Sequence, residues 1–223
     1  MRTNNNIAIE GPAGAGKSTI AKRLAAKLQL VYVDTGAMYR ALAIFFLRKG
    51  LAPDDEEGIC EAVKDAEVSI AYEDGAQQVY LNGENVTPIL RTEEVGNMAS
   101  ASSVFGPVRE RLVALQQQLA ADTAVVMDGR DIGTVVLPDA GLKIYLDASV
   151  EERTRRRVNE LIQKGQDTDP EQIRADIIER DDRDKSRPIG PLKQADDAVY
   201  VDSSDMTIDQ VVDCISGLYE QER

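Results

Sequence analysis

Short apolar runs alternate with amphipathic stretches along most of the chain. Five runs read as strands, at about 6–10, Leu30–Asp34, Ala124–Asp128, Leu142–Asp147 and Ala198–Asp202. They are apolar without alternation, as expected of strands covered on both faces. Between them, apolar positions recur at helical spacing. Helices are expected over about 16–28, 36–48, 107–121, 149–164, 170–185 and 207–220. Ile20, Leu24 and Leu28 make one stripe; Ile208, Val211, Val212, Ile215 and Leu218 make another. This alternation predicts a doubly wound α/β fold around a parallel sheet. Four of the five strand runs end in Asp and the first ends in Glu. Ligands gather at the carboxyl ends of strands in such sheets, so these acids are candidates for chemistry.

The pattern breaks over residues 52–100. A short helix (Asp55–Ala66) precedes two runs with strand character, Glu67–Ala71 and Gln77–Leu81. They flank Glu73-Asp74-Gly75, a hairpin signal, and Asn82-Gly83 is a second turn. The domain reading is a core of 1–51 and 101–223, with a lid at about 152–170 and an inserted antiparallel unit at 52–100. Such an insertion either decorates the surface or closes over a ligand, and its length favours the second.

Immediately after the first strand stands Gly11-Pro12-Ala13-Gly14-Ala15-Gly16-Lys17-Ser18-Thr19. It fills every position of the phosphate-binding pattern G-x-x-x-x-G-K-[ST]. Glycines let the backbone turn tightly, so that successive N–H groups form a nest for phosphate oxygens. The helix starting at about Gly16 adds its positive end. Lys17 is placed to reach terminal phosphates, and the Ser18 hydroxyl to sit on a magnesium ion. The bland alternative is a Gly-rich turn that binds nothing; the preceding strand and following helical stripe are the context the motif requires.

Composition narrows the chemistry further. With 43% hydrophobic and 29% charged residues, the chain is typical of a globular protein, and no run approaches membrane-spanning length. The polar start Met-Arg-Thr-Asn-Asn-Asn does not read as a signal peptide. Cys60 and Cys214 have no metal spacing and sit among apolar residues, so packing is expected of both. A cytoplasmic setting follows. There is no histidine, which excludes Ser-His-Asp and Cys-His catalysis and histidine metal sites. A net charge of −13 argues against a nucleic-acid surface. Yet nine of the 17 arginines fall between positions 130 and 187. That concentration suggests a local anion site, or else arginines neutralised by neighbouring carboxylates. Phosphoryl transfer to an already ionised acceptor survives these exclusions, because it needs positioning and positive charge more than a general base.

Four further stretches carry candidate chemistry. Asp34-Thr35-Gly36-Ala37-Met38-Tyr39-Arg40 joins a strand end to a helix start, with a hydroxyl and a guanidinium able to clamp an oxyanion. Asp128-Gly129-Arg130-Asp131-Ile132-Gly133 follows an apolar strand, and Asp128 stands where a carboxylate near magnesium is usual. Arg153, Arg156 and Arg157 are expected on one helix face, with Arg155 elsewhere; they would close on phosphates or be neutralised by Glu151, Glu152 and Glu160. In Glu179–Arg187, Arg180 and Asp184 are one turn apart, and Pro188 discourages helix at Arg187. Such a charge run is usually a solvated face.

Taken together, these stretches resemble the bacterial cytidylate kinase family, whose members phosphorylate CMP and dCMP from ATP. The resemblance includes the phosphate loop, residues 34–40, Asp128–Val136, Lys143–Ala148 and Glu179–Asp184, and runs from about Ile7 to Leu218. It implies a nucleoside monophosphate kinase fold: a parallel five-stranded core with flanking helices, a small antiparallel inserted unit and a helical lid. It implies that Arg40 and Arg130, near Thr35, hold the CMP phosphate, with Tyr39 also on the acceptor. Ser100, Arg109 and Asp131 would read cytosine, with Arg187 close to base and phosphate. Arg180 and Asp184 would hold the ribose hydroxyls. Arg153, Arg156 and Arg157 would close on ATP, and Lys17, Arg130 and Arg156 would be the catalytic groups. Ser18 and Asp128 would hold Mg2+. A cytoplasmic monomer with no nucleic-acid or membrane partner is expected. Three other readings stand beside it: a kinase for UMP, AMP or dephospho-coenzyme A; a nucleotide-dependent switch; and a structural protein with a degenerate loop, which the intact Lys17 and Ser18 oppose. Against the switch, no Asn-Lys-x-Asp stretch is present.

Overall fold

A computed structural model describes residues 4–221; the first three residues of the polar N-terminal stretch lie outside them. In chain order the elements are β1 (Ile7–Glu10), α1 (Lys17–Leu28), β2 (Val31–Asp34), α2 (Thr35–Arg48), α3 (Glu56–Ala62), β3 (Val68–Glu73), β4 (Ala76–Leu81), β5 (Glu84–Asn85), α4 (Glu93–Ser102) and α5 (Gly106–Asp122). There follow β6 (Val125–Gly129), β7 (Leu142–Asp147), α6 (Val150–Gln163), α7 (Pro170–Ser186), β8 (Val199–Asp202) and α8 (Ile208–Gln221). All five strands and six helices expected of the α/β core are present. The chain divides into two compact units, one holding residues up to Tyr32 and from Thr123 onward, the other Val33–Asp122.

The first unit is built on a five-stranded parallel sheet in the order β2-β6-β1-β7-β8. Central β1 pairs with β6 from Ile7 opposite Val126 to Glu10 opposite Gly129, and with β7 from Ile7 opposite Leu142 to Glu10 opposite Tyr145. All four β1 residues are buried. One core layer gathers Ile20 and Leu24 of α1, Ile7, Ile9, Ile144 and Leu146 of the sheet, and Val211, Val212 and Ile215 of α8. Each fully buried Ile or Leu side chain contributes on the order of 1.5–3 kcal/mol. This core therefore fixes the strand ends that carry the site. Cys214 corrects the packing expectation: it is exposed, on the side of α8 turned from Val212 and Ile215, while Cys60 is half-buried.

The second unit contains the 52–100 segment together with α2 and α5. Its antiparallel sheet has the order β3-β4-β5, and the hairpin closes through Asp74 and Gly75, with φ of 50° and 75°. Positive φ at both central residues is the two-residue turn whose twist suits a hairpin, and glycine takes it without strain. The helix expected over Asp55–Ala66 is α3, capped by Asp55, followed by a 3-10 turn at Val63–Asp65.

Candidate active site

Residues 11–18 leave the end of β1 and enter α1. Gly11, Gly14 and Gly16 take φ of 149°, 78° and 88°. At Gly11 the requirement is steric as well, since a Cβ would stand 2.0 Å from the Leu146 carbonyl oxygen. Lys17 is buried and donates to the Pro12 carbonyl at 2.7 Å. Its ammonium is pushed well below the usual lysine range, first by burial and then by Arg130, while Asp128 and Asp184 pull the other way.

One residue on, the Ser18 hydroxyl donates to Asp128 at 2.9 Å, and the Tyr32 hydroxyl donates to the other Asp128 oxygen at 3.0 Å. Asp128 is 4% exposed, at the carboxyl-terminal part of β6. A hydroxyl and a carboxylate are hard oxygen ligands, and these two stand together beside the phosphate loop. They fit magnesium, which is commonly held by one or two protein oxygens and completed by phosphates and water. Among the described residues there is no cluster of three or more acidic or thiol side chains that would form an all-protein metal site.

The loop is clasped by α6 and α7. Arg153 is 4% exposed; it donates from Nε to the Ala148 carbonyl (2.9 Å) and from one terminal nitrogen to the Ala13 carbonyl (2.9 Å) and Asp181 (2.6 Å). The other Asp181 oxygen accepts the Ala13 N–H at 3.3 Å. Arg156 donates to the Ala15 carbonyl (3.2 Å), the Ser203 carbonyl (2.7 Å) and Glu152 (2.8 Å). Arg157 does not join them: it is exposed and paired with Glu160. On the helix Arg157 lies only about 40° from Arg153, but one turn (about 6 Å) further along the axis, and its guanidinium is taken up by Glu160. Asp181 was not singled out from sequence.

A second cluster follows β6 in the same unit. Arg130 Nε donates to Asp184 at 2.6 Å, Arg187 lies 3.5 Å from Asp131 and 4.0 Å from Asp184, and Arg187 also donates to the Gly190 carbonyl. Burial alone would push the Asp184 carboxyl up; Arg130, and after it Arg180 and Arg187, outweigh this and hold it below the usual range. Helix α7 ends at Ser186, and Arg187 is extended at ψ 141°, as Pro188 predicts. The turn after Asp131 is a π-helical segment, Ile132–Val136, of a kind that recurs at functional sites.

In the second unit, Thr35 is buried at the first position of α2, behind the cap Asp34, whose carboxylate accepts the Ala37 N–H at 3.0 Å. Gln77 of β4 pins this corner, accepting the Asp34 N–H (2.8 Å) and donating to its carbonyl (3.2 Å), and Arg91 reaches the Asp34 carboxylate at 3.1 Å. Tyr39 and Arg40 are half-buried, and a Cβ on Gly36 would lie 3.1 Å from an Arg40 terminal nitrogen. A guanidinium laid against a helix N-terminus places two positive groups together, which suits an anion. Ser100 is half-buried on α4, and Arg109 of α5 is 3% exposed and donates to the Ser103 carbonyl.

The comparisons with known proteins follow the same lines. A sequence profile described as cytidylate kinase matches residues 7–221. A cytidylate kinase of Geobacillus sp. (strain WCH70) is 48% identical over 221 residues, covering 99% of each chain. One from Caldicellulosiruptor bescii is 48% identical over 96% of this chain and 95% of its own. Among solved structures, an uncharacterized protein from Eubacterium ventriosum shares the fold, with a TM-score of 0.53 at 11% identity, over 97% of this chain and 99% of its own. On the profile match and these near-full-length relatives, the chain belongs to the cytidylate kinase family.

Proposed function

We propose that the protein transfers the γ-phosphoryl group of ATP to CMP or dCMP, giving ADP and the cytidine diphosphate, by direct in-line transfer. The observation that carries this reading is a complete phosphate loop in the same unit as the Arg130, Asp131, Asp184 and Arg187 cluster. The nucleophile is a CMP phosphate oxygen, already ionised at neutral pH, so no side chain has to remove a proton. Lys17, the loop amides and Arg130 spread the charge that develops on the transferred group. Arg156 meets the loop through the Ala15 carbonyl and is the arginine of α6 best placed to turn toward nucleotide phosphates. Arg153 is committed to the loop backbone and Asp181, and its contribution is to hold the loop's shape. Magnesium at Ser18 and Asp128 would supply charge neutralisation at the phosphates.

In the first unit Arg130, Asp131, Arg180, Asp184 and Arg187 are the groups that would read the acceptor; in the second, Thr35, Tyr39, Arg40, Ser100 and Arg109 have the chemistry for a nucleoside monophosphate. Cytosine offers an N4 amino donor, which suits the Asp131 carboxylate and Ser100 hydroxyl; its N3 and O2 acceptors suit an arginine. Uracil would set an oxygen against those acceptors. The reaction belongs in the cytoplasm, where ATP and nucleoside monophosphates are at hand, and is carried out by a monomer without nucleic-acid or membrane partners. Among the described residues no helix is long and apolar enough to cross a membrane.

The test is ADP release from Mg-ATP with CMP, dCMP, UMP, AMP, GMP and dephospho-coenzyme A supplied singly. CMP and dCMP are expected to turn over fast, with kcat/KM for UMP lower by roughly tenfold to several hundredfold, the cost of leaving buried polar groups unpaired. Equal use of UMP would remove Asp131 and Ser100 as readers of the amine. No acceptor-dependent turnover would sink the kinase reading and favour the nucleotide switch.

A further inference from the structure

Glu10 is the last residue of β1 and has no accessible surface, yet nothing in the transfer reaction uses it. Its two carboxylate oxygens serve two separate backbone segments. One accepts the Gly133 N–H at 3.0 Å, in the π-helical turn that begins at Asp131; the other accepts the Ala195 N–H at 3.1 Å, in the segment between α7 and β8. The first carries Arg130 and Asp131 at its start. The second follows Arg187, which donates to Gly190 on the way. Gly133 lies close under this carboxylate, since a Cβ there would meet Lys143 at 3.2 Å and a Glu10 oxygen at 3.5 Å. Both bonds are buried.

We propose that Glu10 is a positioning residue for the acceptor: its carboxylate, bridging the Gly133 and Ala195 amides, holds the Arg130–Asp131 turn in register with the segment that follows Arg187. The proposal rests on the reading that these residues contact CMP. A carboxylate is suited to the task because both of its oxygens accept, whereas its acid or amide form offers one clean acceptor. Burial pushes the Glu10 carboxyl up to about 7, with Asp131 adding to the rise and the two amides and Lys143 opposing it. Lys143 on β7 is itself tied to Asp197 at 2.8 Å, and Tyr145 stands opposite Glu10 on the same strand. The bridge therefore weakens as pH falls through 7 and is complete above it.

The test is Glu10→Gln, isosteric but with an amino group facing one of the two N–H donors. The β1 backbone, and with it Gly11, stays held by its ladders to β6 and β7. The expected result is a KM for CMP raised about tenfold, the loss of one hydrogen bond to an ionised acceptor, with the KM for ATP changed less than twofold. Discrimination against UMP is expected to fall as well. A second measurement needs only the unaltered protein: the ratio of CMP to UMP affinity by calorimetry from pH 5.5 to 8.5. Both ligands share the titrating phosphate, so its ionisation cancels in the ratio. The preference for CMP is expected to rise about tenfold through pH 7, and to be flat in Glu10→Gln. Unchanged KM values in the variant, equal rises for CMP and ATP, or a flat ratio in the unaltered protein would each overturn the proposal. Failure of the unaltered protein to phosphorylate CMP would instead overturn the function on which it rests.

Discussion

Lys17→Met is expected to lower kcat for CMP phosphorylation about a thousandfold while leaving the melting temperature unchanged or slightly raised. The ammonium sits buried in its own loop, bonded to the Pro12 carbonyl, and both burial and Arg130 work against its charge. The charged form therefore costs the fold something until phosphates arrive. A group that is poorly compensated in the empty site and well compensated on a developing anion contributes where catalysis requires it, in the transition state. Removal of one such donor from a dry site typically costs two to three orders of magnitude, about 4 kcal/mol at the upper end. Methionine keeps the stem and its packing, so the buried charge is lost without a cavity. Lys17→Arg should not rescue, because the planar guanidinium cannot occupy the place of a point charge this tightly enclosed. Steady-state kinetics beside thermal melts decide the matter. A loss below tenfold in kcat would remove Lys17 from the catalytic groups, and a large fall in melting temperature would make its role structural.

The part of the site that could be read from the chain is the part whose local spacing carries the chemistry. The phosphate loop is contiguous, and a strand before it with an apolar helical stripe after it is a local pattern. The five core strands were equally legible, because burial on both faces makes each a run of apolar residues. What escaped was relational. Asp181 looked like one acid among many in Glu179–Asp184, and only the folded chain brings it to Ala13 and Arg153. Arg153 and Arg156 look equivalent in sequence, yet one is locked against the loop backbone and Asp181 and the other keeps 28% of its side chain exposed. Glu10 did leave a signal, a carboxylate ending a strand whose other residues are all apolar, but its partners are amides 123 and 185 residues away. Helix α4 is not legible in the sequence because Gly96, Asn97, Ser100 and Ser102 are weak helix formers; its buried positions Val95, Met98, Ala99 and Ser102 are mostly small. The turn at Ile132–Val136 gives no helical signal because four of its five residues, Ile132, Thr134, Val135 and Val136, are β-branched.

Asp181→Ala is expected to cost about 3–5 kcal/mol of stability, the usual consequence of removing one partner from a buried ion pair. Arg153 and Asp181 are both 4% exposed and their contact is 2.6 Å, so the guanidinium left behind could not recover its hydration. For a chain of this length that corresponds to a fall of about 10 °C in melting temperature. The loss should reach the site too, since Asp181 also accepts the Ala13 N–H and steadies the carbonyl that Arg153 holds. The KM for ATP is expected to rise with little change in the KM for CMP, the opposite split from Glu10→Gln. The double variant Arg153→Met, Asp181→Leu separates charge from packing. With both ions gone, the desolvation penalty goes with them, and apolar groups of similar volume should restore most of the stability. They should not restore ATP affinity, because methionine cannot donate to the Ala13 and Ala148 carbonyls. Thermal melts and ATP titrations on the single and double variants measure both terms. Recovery of stability without recovery of ATP affinity would show that the pair is kept for the shape of the loop and not for the stability of the fold. Recovery of both, or an unaltered melting temperature in Asp181→Ala, would remove the clasp from the description of this site.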